Sequence, residues 1–412
     1  MGITAGSVPQ AIQFAKTGLQ ILVLLTFSAF GDYGSYKFRL LKILTWLGSF
    51  LVFLNIFCTH SSLYWLAGVS HILAGACFVL CVSYYNAYLP LMMKNYRGDS
   101  EQLADITDAA SNKGMLAGYV GGVSALVMSW AILAFLECDP CKNACSEFDL
   151  FIWPAVSMAM VGLWWCGFSV ITFLTLKTRS GPPFPRKANI YCFGWKEAGA
   201  GLRAVLQYKQ TLIFCVTYFI ASDALATLTN NAFLLKEEMS GEGPEGERTT
   251  MVSLHFLFIL GVAGAMAGIF LYSGLQWLLG ASAKCMLLIQ FSVMTLVAIA
   301  AVSGGFKSIG YMPIMAPVSL TVGSMQSYFR SIFSLLIPPG KESAMFAFFE
   351  ITDKGSALVG TAVTFIIHNV FHSYLPSMYY IVFGFATSLA ILCFLDVDQG
   401  MRDLGKAEEP EE

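Results

Sequence analysis

Charge is what this 412-residue chain has least of: Asp, Glu, Lys and Arg make up 12% of it, about half the share of a soluble globular domain. So few ionisable groups cannot clothe a water-facing surface, which excludes a soluble fold. Neither sign dominates. With 24 basic and 26 acidic residues the net charge is -2, so no nucleic-acid partner is expected. The alternating strands of about ten residues that build an outer-membrane barrel are missing as well. Histidine is scarce, at five residues, and His71 and His255 have no ligand-spaced partner. No nucleophile beside a base, phosphate-cradling glycine loop or set of metal ligands is legible. The expectation is therefore no catalytic residue, no metal, no cofactor and no enzyme. The first apolar run lacks a basic leader and a small-residue cleavage site, and reads as a retained helix rather than a secretory signal.

What fills the chain instead is hydrophobic residue, at 56%, with 14% aromatic. It gathers into eleven runs, near 17–31, 41–58, 63–92, 115–136, 150–176, 210–235, 251–273, 276–303, 311–336, 344–370 and 377–396. A bilayer core of roughly 30 Å takes about 20 apolar residues per spanning helix. Lipid also requires each backbone group to be bonded within the segment. The expected fold class is an all-α polytopic membrane protein. Placing the loop Gly31–Leu40 in the cytosol puts eighteen Lys and Arg on that side and five on the other, with Lys354 inside a helix. This positive-inside bias predicts an exoplasmic N-terminus and a cytosolic C-terminus.

The longest gap, 177–209, is basic and rich in Pro and Gly (Gly181-Pro182-Pro183-Phe184-Pro185-Arg186-Lys187). It predicts four parts: an N-terminal transmembrane bundle over 1–176, a cytosolic linker over 177–209, a C-terminal bundle over 210–397 and an acidic cytosolic tail over 398–412. Five spans followed by six is the major-facilitator two-bundle layout with the first helix of twelve lacking; a genuine eleven-span protein is the alternative.

Ionisable groups at membrane depth are costly and mark candidate sites. Asp223 lies mid-span in a polar helix with Ser222, Thr227, Thr229, Asn230 and Asn231. A substrate or proton-coupling role and a packed acid bonded to a neighbouring helix are both open. Asn86, near Pro90, suggests a bent, cavity-facing segment. Glu350 and Lys354, four apart on a helix, can pair, which leaves Asp353 to a partner on another helix. Asp32, Lys37 and Arg39 occupy the short Gly-containing turn between the first two spans, where the acid can meet a helix N-terminus. Gly118, Gly121 and Gly122 permit close helix approach. Cys138, Cys141 and Cys145 crowd one exoplasmic loop, where a disulfide is permitted; one bridge, unpaired thiols and a metal site are the alternatives.

Several motifs carry a resemblance. Tyr85-Asn86-Ala87-Tyr88-Leu89-Pro90, Asn112-Lys113-Gly114 with Gly118-Tyr119-Val120-Gly121-Gly122, and Phe329-Arg330-Ser331-Ile332-Phe333-Ser334 through Pro338-Pro339-Gly340-Lys341-Glu342 and Asp353-Lys354-Gly355-Ser356-Ala357 resemble the autophagy-related vacuolar amino-acid effluxer family, a branch of the major facilitator superfamily. Asp32 with Lys37 and Arg39 resembles the superfamily's inner-loop signature, with Tyr33 in place of a usual base. The resemblance implies export of neutral amino acids such as leucine from vacuole or lysosome to cytosol after autophagic protein breakdown, by alternating access. The partners expected are membrane lipid, the amino acid and, as coupling ion, protons. In that scheme Asp223, Asn230 and Asn86 serve the substrate pathway. Asp32, Lys37, Arg39 and Arg330 gate the cytosolic side, and Glu350, Asp353 and Lys354 supply exchangeable ion pairs. The competing expectation is a non-transporting membrane scaffold or sensor on a degenerate transporter fold.

Overall fold

The computed structural model describes residues 8–94, 96, 99–135, 147–185, 189–240, 251–305 and 311–406. The described residues are helical and contain no strand. The long helices are α1 (Val8–Phe27), α2 (Tyr36–Phe53), α3 (Tyr64–Asn86), α5 (Ser100–Phe135) and α6 (Glu147–Thr175), with the short α4 (Tyr88–Met93) after α3. Then come α7 (Ile190–Gln207), α8 (Lys209–Ser240), α9 (Met251–Leu279), α10 (Ala283–Ala300), α11 (Tyr311–Leu335), α12 (Glu342–Phe371), α13 (Ser377–Leu392) and the short α14 (Val397–Asp403).

All eleven apolar runs are helical. Among the described residues eight are long and apolar enough to cross a membrane, or nine if the pair α13 and α14, bent by 60°, forms one broken span. α11 and α12 match them in length but are more polar: α12 carries Glu342, Glu350, Asp353 and Lys354, and α11 contains five serines and Arg330. Two element boundaries depart from expectation. α5 begins at Ser100, well ahead of the apolar run at 115, because its first turns are helical despite Glu101, Asp105, Asp108 and Asn112. The gap 177–209 is not all connector, since α7 occupies its second half.

The contacts divide the chain into two compact units. The first holds Met1–Leu91, Ser124–Leu202 and Gly340–Ile351; the second holds Met92–Val123, Arg203–Pro339 and Thr352–Glu412. α5 and α12 each contribute to both units.

In the first unit α2 packs on α3 and α6, and α1 on α3. Leu24, Leu41, Val79, Leu80, Cys81, Tyr84 and Tyr88 form its core with Ala347 from the start of α12. In the second unit α9 packs on α11, α8 on α13, and α10 on both α11 and α13. Phe214, Phe291, Phe329, Phe333 and Phe385 stack through its interior. α9 and α11 meet backbone to backbone at Gly268, where a Cβ would run into the Leu320 carbonyl. That close approach is what small residues at helix crossings permit in lipid.

Candidate functional site

In the first unit the turn after α1 buries Asp32 against the N-terminus of α12. The Asp32 carboxylate accepts from the backbone N–H of Ser343 (2.7 Å) and of Ala344 (3.0 Å). It thus fills two of the donors that the first turn of a helix leaves unbonded, at the positive end of the helix dipole. Lys37 Nζ stands 3.8 Å from Asp32 Oδ1 with both side chains buried, and 5.8 Å above the Tyr88 ring. The Ser83 hydroxyl donates to the Ser343 carbonyl (3.2 Å), and the Tyr84 hydroxyl to the Phe27 carbonyl (2.7 Å). The turn itself is pinned by the linker: Gly34 N–H donates to Pro182 O and Gly181 N–H to Gly34 O, both at 2.8 Å. Phe184 and Phe193 pack around Phe30 and Tyr33. The Tyr33 hydroxyl, outside the spans, is pushed above its ordinary pKa by burial, then by Glu197 and Asp32. Asp32 and Lys37 therefore join one cluster, whereas Arg39 is exposed. Asn86 is buried near the end of α3, and Glu350 is buried in α12.

The second unit holds two polar clusters. One ties α8 to α12 and α13. Asp223 Oδ1 accepts from the backbone N–H of Gly360 (2.7 Å), and Oδ2 from the Tyr380 hydroxyl. A turn along α8, Thr227 Oγ1 is buried without a partner among the described residues. After another turn Asn231 Nδ2 donates to Ser377 Oγ (2.7 Å) and Thr364 Oγ1 (3.3 Å). Gly360 is required here, since a Cβ would meet both Thr227 Oγ1 and the Asp223 carboxylate. Asp353 accepts from Ser222 of α8, so the acid finds its partner on another helix. Lys354 Nζ lies 2.6 Å from Asp353 Oδ2, an adjacent pair beside the four-apart pairing with Glu350 that spacing allows. Asn230, expected on the pathway, is exposed; its neighbour Asn231 is the buried one.

The other cluster ties the polar start of α5 to α9 and α11. Arg330 Nε donates to Ser111 Oγ (3.0 Å) and its Nη2 to the Ser111 carbonyl. Ser327 donates to Ser111 Oγ (2.9 Å), and Ser111 in turn donates to the Ser327 carbonyl (2.8 Å). Asp108 accepts from Gln276 Nε2 (2.9 Å) and from Ser331 Oγ; Tyr328 donates to Gln276 Oε1 (2.9 Å). Asp108, Ser111 and Gln276 were not singled out from sequence. The signal was a polar stripe at Glu101, Asp105, Asp108 and Asn112, spaced three to four apart on the approach to an apolar run. Gly118 meets open space, and a Cβ on Gly122 would touch Val262 at 3.6 Å. Cys138, Cys141 and Cys145 lie outside the described residues. Among the described residues no group of three potential metal ligands occurs.

Comparison with known proteins places these features. Autophagy-related protein 22-1 of Aspergillus niger is 24% identical, over 93% of this chain and 72% of the relative. Its counterpart in Penicillium rubens is 25% identical, over 93% and 74%. In fold the chain is similar to a variant of the E. coli fucose:proton symporter FucP, with a TM-score of 0.59 at 12% identity over 94% of each chain. It is also similar to a bacterial homologue of the iron transporter ferroportin in its outward-facing state, with a TM-score of 0.56 at 13% identity over 93% of this chain and 89% of that one. These likenesses show a major-facilitator-type fold. The family described as vacuole effluxer Atg22-like matches residues 3–405, so the chain belongs to that vacuolar family of multi-pass membrane transporters.

Proposed function

We propose that this protein is a secondary carrier that exports neutral amino acids, leucine among them, from the vacuole lumen to the cytosol by alternating access. The observation that carries the reading is the pair of charged ties. Asp32 caps the start of α12, and Arg330 and Ser331 of α11 grip Ser111 and Asp108 of α5. Each joins segments far apart in sequence through a few directional bonds around a buried charge. Such bonds can be exchanged as a unit, unlike a continuous apolar seam. Asp32, Lys37 and Arg330 are read as the cytosolic gate. Asn86 and Asp223 are read as pathway groups, with Asp223 the acid for proton coupling, because its Tyr380 partner is a hydroxyl that can rotate away. Asn230 is read as a further pathway group, with the buried Asn231 beside it.

Reconstituted vesicles loaded with labelled leucine provide the test. Wild-type protein is expected to release leucine saturably, faster with an acidic interior. Arg330→Ala should lower the rate at least about tenfold, the loss expected from one or two charge-assisted bonds. Asp223→Asn should flatten the pH dependence. Absence of saturable leucine release, together with unaltered lumenal amino-acid pools in cells lacking the protein, would overturn the carrier and favour the scaffold.

A further inference from the structure

The second unit holds a half-open cavity of about 1370 Å³ beside the cluster of α5, α9 and α11, between the start of α5, the end of α9 and the residues that follow α13. Its wall carries Asp108 and Asn112 from one helix, and Ser273 and Gln276 from another. Asp108 is 4% exposed. Both of its hydrogen-bond donors, Gln276 and Ser331, are neutral, and no Lys or Arg among the described residues pairs with it. A buried carboxylate without a cation is expensive. One helical turn away, the Asn112 side chain is 8% exposed and its amide oxygen has no partner among the described residues. An uncompensated carboxylate and an idle carbonyl oxygen on one wall are what a cation would satisfy.

The rest of the lining narrows the cation. Leu116 and Ile269 flank the acceptors, and Trp277, 84% exposed, stands at the margin. Apolar walls are suited to a ligand with a hydrocarbon part and are wasted on a bare metal ion. Lys284 also lines the cavity, but it donates to the Cys393 and Leu395 carbonyls. Lys113 and Lys209 also line the cavity, together with Glu101, Asp105, Asp396 and Asp398, so the wall offers charges of both signs to a zwitterion. We propose that this cavity is a binding site for a primary ammonium group carried on a partly apolar molecule, with Asp108 and the Asn112 amide oxygen as its acceptors. Two sources present that chemistry: a soluble amine or amino acid, and the headgroup of an aminophospholipid.

The test uses the full chain in phosphatidylcholine nanodiscs, titrated with n-butylammonium chloride at constant ionic strength and read as the thermal unfolding midpoint. A saturable rise is expected, since a ligand that binds the folded state stabilises it by mass action. Butan-1-ol and sodium chloride should not reproduce it. Asn112→Leu leaves the Asp108 bonds to Ser331 and Gln276 in place and should raise the half-saturating concentration about tenfold. Asp108→Asn should do so further where it folds. If exchanging half the lipid for phosphatidylethanolamine raises the midpoint and removes the butylammonium response, the headgroup is the source; if the response persists, the source is soluble. No response to butylammonium, an equal response to butanol or sodium, or unweakened binding by Asn112→Leu overturns the proposal.

Discussion

Asp32 and Lys37 sit five residues apart, and each depends on the other. Lys37 is 2% exposed and has the Asp32 carboxylate at 3.8 Å, while the carboxylate is also held by two backbone amides of α12. Removing one partner of a buried pair costs about 3–5 kcal/mol, because the survivor stays charged and dry. Asp32→Asn should therefore lower the unfolding midpoint in detergent markedly, and adding Lys37→Met should recover part of the loss. A double variant no better than the single one would mean that the amide contacts, not the pair, hold the turn. The acid and base were legible because they punctuate a Gly-containing turn between apolar runs. Their target was not, since Ser343 lies 311 residues away. Asn230 and Asn231 differ in burial for a reason that composition does not carry. Adjacent residues on a helix point about 100° apart, so composition alone could not choose between Asn230 and Asn231. The spacing of four through Asp223, Thr227 and Asn231 selects the face that α12 and α13 cover.

Among the elements, α8, α12 and α13 form a seam held by side chains rather than by apolar fit alone. Gly360 is its narrowest point. Gly360→Ala would put a methyl group against Thr227 and the Asp223 carboxylate and displace the amide–carboxylate bond. Overpacking of this kind costs roughly 1–3 kcal/mol. The expected outcome is a lower unfolding midpoint, partly restored by Thr227→Ala, which removes the hydroxyl that the new methyl would strike. A midpoint at or above the wild-type value would show that the seam has slack. The long apolar elements were plain in the sequence because lipid leaves helices as the default for runs of that length. The polar first turns of α5 were not, because no hydrophobic period marks them; their helix is held by the bonds that Asp108 and Ser111 make to α9 and α11. α7 was hidden for a related reason, since its surroundings in the gap 177–209 are dominated by Pro, Gly and charge.

For the whole molecule, helix number and membrane class follow from apolar content, while the grouping of helices into units depends on contacts that no span length encodes. α12 shows this best: its residues through Ile351 belong to the first unit and those from Thr352 to the second, although the helix runs unbroken from Glu342 to Phe371. A single rod anchored at both ends has to store or release torsion when either anchor shifts. Asp32 caps its first turn, and Gly360, further along the same helix, engages Asp223. Between them sits Gly355, where a Cβ would meet open space, so close packing among the described residues does not call for glycine there. Gly355→Ala should stiffen the rod, raise the unfolding midpoint slightly (about 0.5–1 kcal/mol) and slow leucine release from the loaded vesicles. A stiffer helix with undiminished release would mean that the two anchors work without twisting the span that joins them.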